Sequence, residues 1–163
     1  MSAYLSRIAL ATIACVLAAP ASSQTVARKD LSIDGAVIIA TTAMADCKAK
    51  GWPVSATVVG RNGEVLVQLR GDGTGPHTMQ NSYLKAFTSR TFRIPSGDLQ
   101  TRLKGDPTLG LIHLSNVIAN QGALPIKIGE ETIGAIGASG APGGEKDEVC
   151  VKAGIDQVAG MLK

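Results

Sequence analysis

The feature that most constrains the fold is an apolar run between residues 129 and 140 that four glycines interrupt. A glycine inside a strand weakens it, because it has no side chain to pack. It is usually kept where another backbone or a helix must come close. The run continues into a Gly-rich turn and then into the acidic segment 145–148, which suits the start of a helix. Residues 131–139 are therefore predicted to form a central strand, packed closely against the final helix or a neighbouring subunit.

The first 24 residues have the composition of a secretory signal. Arg7 supplies a positive charge, residues 8–19 are an apolar core, and small residues at 19–23 suit cleavage. The core is too short for a membrane span, which needs roughly 20 apolar residues, and no later segment is apolar for long enough. We therefore expect residues 25–163 to be a single domain, in a periplasm or outside the cell. The alternative is an uncleaved N-terminal anchor.

The charge of the chain argues against nucleic acid as a partner. The formal net charge is +3, and loss of Arg7 with the signal reduces it to +2. Opposite charges are interspersed, apart from a local basic bias between residues 90 and 104. Few aromatic side chains remain for stacking on bases. These are Trp52, Tyr83, Phe87 and Phe92.

Two cysteines remain once the signal, which contains Cys15, has been removed. They are Cys47 and Cys150. In an oxidising compartment an isolated pair is more often bridged than free. A bridge would close a loop of about 100 residues and stabilise the fold by up to roughly 4 kcal/mol in the chain-entropy model. A disulfide is therefore predicted. The alternatives are two buried thiols, or two metal ligands that lack partners.

Hydrophobic periodicity predicts the remaining elements. Apolar positions between residues 32 and 50 recur at helical spacing and place Cys47 on the buried stripe. Strands flank Asn62 and Gly63, a pair that favours a tight hairpin turn. The order predicts an α+β fold with a mainly antiparallel sheet and both terminal helices on one face, where a Cys47–Cys150 bridge would join them. The other predicted segments are strands at 53–59, 64–69, 114–119, 124–128 and 132–138, and helices at 78–92, 96–103 and from 145 onwards.

Three blocks of the sequence resemble the haem-binding GlcG/HbpS-like family, a family of haem-degrading domains. The blocks are residues 54–73, 85–88 and 133–148, in the family's order and spacing. The resemblance implies a profilin-like fold with a five-stranded antiparallel sheet flanked by helices, and assembly as a homo-oligomer. It also implies haem as a ligand in some members, and haem degradation in one branch. The chain departs from the family at Gly71 and Thr74, and its export signal and cysteine pair are not general features of the family.

The histidines are the candidate iron ligands, because an axial imidazole is a common protein ligand of haem iron. His77 lies in a Gly-rich loop before a helix, and His113 lies among apolar residues just before a predicted strand. The alternatives are a solvated His77 and a structural His113. No Cys-x-x-Cys-His motif is present, which excludes covalent c-type attachment. The small number of aromatic residues favours a shallow or interfacial haem site over a deep one.

Charged side chains are the other candidate ligand contacts. Arg70, Arg90 and Arg93 can pair with haem propionates or with another carboxylate ligand, and Asp72 lies in the same loop as Arg70. The alternatives are a solvated basic face, or an Arg70–Asp72 pair that fixes the loop. We expect the ligand contacts in the loop 70–78 and the helix after it, and a structural role for the glycine-interrupted strand.

No catalytic residue is predicted, because the sequence has neither a His-x-x-x-His zinc motif nor a Gly-x-Ser-x-Gly nucleophile motif. The first hypothesis is an exported protein that binds haem or a related tetrapyrrole non-covalently, for capture, storage or sensing. The second is an oligomeric module that binds a small carboxylate or a protein partner and has no haem. The third is a haem-degrading enzyme.

Overall fold

The computed structural model describes residues 24–163, so the predicted signal lies outside the described residues except for Gln24. The described chain is an α+β fold, as predicted. Two short 3-10 helices, Gly110–His113 and Ala159–Met161, supplement the regular elements. In chain order those elements are α1 (Ile33–Ala49), β1 (Ser55–Val59), β2 (Val65–Leu69), α2 (Thr78–Phe92), α3 (Ser96–Gly105), β3 (Ala123–Ile128), β4 (Glu131–Ser139) and α4 (Gly144–Val158).

The strands form one antiparallel sheet in the order β2-β1-β4-β3. The glycine-interrupted strand β4 is central, as predicted, and is buried from Thr132 to Ser139. The predicted hairpin is present between β1 and β2, and Gly63 in its turn has a φ of 82°. That positive φ is one that glycine adopts without steric cost, which explains the Asn-Gly signal in the sequence.

The helices cover both faces of the sheet. Ala56, Val58 and Ile136 face α1 and α4 and form the main core with them. The alternate positions, such as Val59 and Ala135, face α2. The two terminal helices therefore share one face, as predicted. No helix in the described part of the chain combines the length and the hydropathy that a bilayer crossing requires.

A disulfide joins Cys47 on α1 to Cys150 on α4, which confirms the predicted pairing. The two Cα atoms are 5.4 Å apart, within the usual range for a disulfide, and the bridge spans 103 positions of the chain. Both cysteines are fully buried. The bridge therefore ties the first helix to the last helix inside the main core.

Glycine in β4 lets α2 lie unusually close to the sheet. A Cβ atom at Gly137 would be 2.4 Å from the carbonyl oxygen of Ser82 and 2.7 Å from the backbone nitrogen of Ala86. No side chain fits in that space, because both obstacles belong to the backbone of α2. A close approach at a glycine of this strand is thus present, but its partner is α2, whereas the final helix or a neighbouring subunit was predicted.

The prediction of a fifth strand at 114–119 is wrong, and within the described residues the sheet has four strands. Asn116 has a φ of 63°, a left-handed conformation that interrupts any extended run. The segment makes a turn in which the Val117 amide donates to the Leu114 carbonyl. The Ile118 amide donates to the hydroxyl of Thr88 on α2 instead of to a neighbouring strand. Membership among the profilin-like folds stays a prediction.

Candidate functional site

An open cleft of about 300 Å³ lies where α2 and α4 begin. One wall is the loop 73–77 that leads into α2. The other wall is the end of β4 and the turn 140–144 that leads into α4. The helix N-termini present backbone N–H groups and the positive ends of two helix dipoles to the same region. The cleft therefore suits a ligand that carries negative charge.

His77 lies at the rim of this cleft and its side chain is exposed. The residue occupies the N-cap position of α2, and its carbonyl accepts the amide of Asn81 at 2.9 Å. Within residues 24–163 its imidazole makes no hydrogen bond, so both ring nitrogens are available to a ligand. A neutral imidazole in this position can donate an electron pair to a metal centre.

Arg70 and Asp72 belong to the loop that leads to His77 but not to the lining of the cleft. Arg70 donates from Nη2 to the carbonyl of Thr74 at 2.8 Å, and the Thr74 hydroxyl donates to the carbonyl of Gly71 at 2.8 Å. These hydrogen bonds join residues of the same loop and so stabilise its conformation. Asp72 is exposed and, with Arg70, borders a separate shallow pocket of about 190 Å³ beside α1.

A buried ion pair between Lys85 and Asp147 lines the base of the cleft, and the sequence analysis did not identify it as part of a site. Lys85 donates from Nζ to Asp147 Oδ2 at 2.7 Å and to the carbonyl of Ala138 at 3.1 Å. The amide of Ala141 donates to Asp147 Oδ1 at 3.0 Å. Both charged side chains are 3% exposed. The pair joins α2, the end of β4 and the first turn of α4, and so fixes both walls.

Burial raises the pKa of the Asp147 carboxyl, and the Lys85 ammonium and the Ala141 amide only partly offset this increase. Taking a carboxylate out of water favours its neutral form. The Lys85 ammonium therefore opposes, without cancelling, the cost of burying the Asp147 carboxylate at the base of the cleft.

Hydroxyl and amide side chains connect the cleft to the sheet. The hydroxyl groups of Thr78 and Ser55 are 2.8 Å apart, and Asn81 donates from Nδ2 to Ser139 Oγ at 2.9 Å. Deeper along α2, the hydroxyl groups of Thr57 and Ser82 are 2.7 Å apart. The sequence signal for this arrangement is a polar stripe at helical spacing on α2, which the sequence analysis missed. Its buried members are Thr78, Ser82, Lys85, Thr88 and Ser89.

The remaining predicted site residues lie elsewhere. Arg90 and Arg93 are at the other end of α2, about 20 Å and about 24 Å from His77 along the helix at about 1.5 Å per residue. His113 ends a 3-10 helix, is exposed, and does not line the cleft. No group of three or more His, Cys, Asp or Glu side chains suited to a metal ion occurs among residues 24–163. Of the predicted contacts, the structure thus brings only His77 into the cleft.

The chain is similar to one protein family and to a solved structure of that family. A family model described as haem degrading protein HbpS-like matches residues 31–156. A double mutant of HbpS from Streptomyces reticuli is 33% identical and superposes with a TM-score of 0.78, over 86% of this chain and 97% of that chain. No curated protein sequence matches the chain.

More distant structures share the fold. Protein ORFY from Klebsiella pneumoniae is 21% identical, with a TM-score of 0.77 over 84% of this chain and 96% of that chain. A complex of PduOC with heme is 18% identical, with a TM-score of 0.72 over 78% of this chain and 94% of that chain. The fold is therefore shared by chains of low sequence identity.

Proposed function

The chain belongs to the HbpS-like family of haem degrading proteins, and from that membership we propose that it binds haem, or a related tetrapyrrole, non-covalently at the His77 cleft. The observation that carries the proposal is the exposed imidazole of His77 at the cleft rim, which has no hydrogen-bond partner among the described residues. An axial histidine is a common protein ligand of haem iron. The haem complex of PduOC, which shares the fold, supports the same ligand class.

The residues of the cleft suit the polar parts of haem. His77 would ligate the iron, and backbone N–H groups at the N-termini of α2 and α4, which lack a side-chain cap, would donate to a propionate. The lining contains no aromatic side chain and is mainly polar. One chain therefore offers no apolar wall for the macrocycle. In the proposed homo-oligomer a second copy of the chain would supply the apolar cover that the macrocycle needs.

The proposed location is a periplasm or the exterior of the cell. The predicted signal at residues 1–24 supports export, and so does the Cys47–Cys150 disulfide, because such bridges persist mainly in oxidising compartments. In that location the protein would capture, store or sense haem. Cleaved and uncleaved forms differ in mass by the signal, so mass spectrometry of the protein purified from its natural host tests the export step.

Titration with haemin tests the binding proposal. The wild-type protein should give a saturable Soret shift at micromolar haemin, and His77→Ala should weaken it by at least about tenfold, since a metal–ligand bond is lost. His113→Ala is the matched control, because His113 is also exposed to solvent but lies outside the cleft. The absence of a saturable shift in the wild type, or equal weakening by both variants, would contradict the proposal.

A second candidate function is the binding of a small carboxylate without haem. The observation that favours it is the polar lining of the cleft, with the buried Lys85–Asp147 pair at its base and two helix N-termini beside it. Calorimetry with succinate distinguishes the two functions. Saturable succinate binding in a protein that gives no Soret shift would favour this candidate over haem.

Haem degradation is the third candidate, and the description of the family is what favours it. Incubating the haem-loaded protein with dioxygen and a reductant such as ascorbate supplies the reactants that ring opening requires. The appearance of verdohaem or biliverdin absorption would indicate an enzyme. An unchanged Soret band under the same conditions would indicate a binding protein.

A further inference from the structure

The two edges of the sheet differ in how they are protected against pairing with another strand. The outer strands are β2 and β3, and among residues 24–163 no strand pairs with the free side of either. Such an edge presents unpaired backbone groups, and native proteins usually blunt it with a charge, a proline or a bulge. β3 contains Pro125 and an exposed Lys127, whereas β2 reads Val-Leu-Val-Gln-Leu and has neither a charge nor a proline.

A bulge near the start of β2 leaves most of its edge open. The register with β1 shifts at Leu66, which has no Cα partner there, and it is continuous from Val67 to Leu69. All five residues of β2 are exposed or half-buried, and Val65 is 48% exposed. β2 therefore keeps an uncharged, largely apolar edge that a further strand can extend.

Opposite charges flank this strand. Glu64 precedes β2 and Arg70 follows it; both are exposed, and neither forms a salt bridge within the described part of the chain. Each side chain makes one hydrogen bond, to Asn62 and to Thr74 respectively, and so keeps further atoms for an external partner. In an antiparallel pair of two β2 strands, the start of each strand lies beside the end of the other. Self-pairing therefore brings Glu64 of each copy to the partner's Arg70.

An apolar flank of α1 lies on the same side of the molecule. α1 packs against β2, and its Met44 lines a pocket together with Arg70, which follows that strand. Ile33 and Val37 share the flank with Met44 by helical spacing, and they are 55% and 41% exposed. Two copies joined at β2 would have their α1 helices side by side on one face of the joined sheet, with these flanks between them.

We propose that β2 is the contact surface between two copies of this chain, paired antiparallel about a two-fold axis at Val67. A two-fold contact needs a surface that complements itself. Val67 is the middle residue of β2 and lies three positions from both Glu64 and Arg70, so this axis aligns both charge pairs at once. The contact gives the proposed homo-oligomer a defined interface and does not require haem.

Cysteine cross-linking tests the axis. Val67→Cys places two thiols on opposed residues whose Cα atoms are about 4.5–5.5 Å apart, within the range of a disulfide. Mild oxidation should therefore give a covalent dimer on a non-reducing gel. Val65→Cys is the matched control, because Val65 is more exposed but lies about 13 Å from its counterpart, at about 3.3 Å for each of four positions. It should stay a single chain on the gel.

Sedimentation equilibrium without haemin tests the charge pairs. Glu64→Arg sets like charges at both ends of the contact and should raise the dissociation constant at least about tenfold. Adding Arg70→Glu to that variant restores opposite charges and should recover most of the affinity. Glu130→Arg is the matched control, since Glu130 is exposed in the turn between β3 and β4, at the other edge of the sheet, and it should leave association unchanged.

A wild type that sediments as a monomer at every concentration tested would overturn the interface. So would an oligomer that Val67→Cys does not trap and Glu64→Arg does not weaken, because the copies would then meet elsewhere. Equal cross-linking of Val65→Cys and Val67→Cys would overturn the axis. His77→Ala should change none of these results, so failure of the haem proposal and failure of this interface are distinguishable.

Discussion

Replacing Gly137 by alanine tests whether the approach of α2 to the sheet depends on glycine in β4. The new Cβ atom would lie 2.4 Å from the Ser82 carbonyl oxygen, whereas ordinary contacts begin at about 3.4 Å. The helix or the strand must therefore move by about 1 Å. Neither obstacle is a flexible side chain, since the next nearest atom, at 2.7 Å, is the backbone nitrogen of Ala86.

The expected cost is at the upper end of the range for overpacking, about 3 kcal/mol. For a domain of this size that loss lowers the midpoint of thermal unfolding by roughly 6–12 °C. Since α2 carries His77 at its first turn, the shift of the helix should also weaken haemin binding. Urea unfolding and differential scanning calorimetry measure the stability, and the Soret titration measures the binding.

Gly105→Ala is the matched control for this experiment. Gly105 ends α3, and a Cβ atom there would meet nothing within 4 Å. Its free energy of unfolding should stay the same or rise by at most about 1 kcal/mol, because alanine is the better helix former. If Gly137→Ala were as stable as Gly105→Ala, the close packing of α2 on β4 would not be what requires glycine in the strand.

Three further predictions concern the ion pair and the disulfide. Lys85→Met leaves Asp147 buried without its cation and should lower the free energy of unfolding by about 3–5 kcal/mol, as measured by urea unfolding. The double variant Lys85→Met with Asp147→Leu should recover part of that loss, because no unpaired charge then remains buried. Burial raises the pKa of Asp147 in the folded state. The contribution of this carboxyl to the free energy of unfolding is therefore complete below its unfolded pKa of about 4, and it is lost as the pH rises through the folded pKa. The stability of the wild type relative to Asp147→Asn should therefore fall across that window, and a constant difference would contradict the raised pKa. Replacing Cys47 and Cys150 together by alanine should cost about 2–4 kcal/mol in urea unfolding, and an unchanged midpoint would refute a stabilising role for the bridge.

Local signals predicted most of the fold. Asn62 and Gly63 identified the hairpin, because their turn needs a positive φ that few other residues adopt. The disulfide was predicted from an isolated cysteine pair in a chain with an export signal, and helical spacing placed Cys47 on the buried stripe of α1. The fifth strand was wrong because apolar content at 114–119 cannot reveal the left-handed conformation of Asn116 or the hydrogen bond to Thr88.

Less of the candidate site than of the fold could be predicted from the sequence. His77 was identified because an imidazole in a Gly-rich loop is recognisable without tertiary information. Lys85 and Asp147 were missed because they are 62 positions apart, and a single lysine on a helix is usually solvated. The turn after β4 was predicted only to lead into the last helix, yet it forms one wall of the cleft. Only the packing of α2 against β4 brings that turn and His77 together.

The central claim is that His77 ligates haem iron in the cleft. The most direct test is electron–nuclear double resonance of the ferric haem complex in protein labelled with 15N-histidine. The account predicts strong 15N hyperfine coupling to the iron in the wild type and in His113→Ala, and its loss in His77→Ala. Coupling that persists in His77→Ala, or that is absent from the wild-type complex, would contradict it.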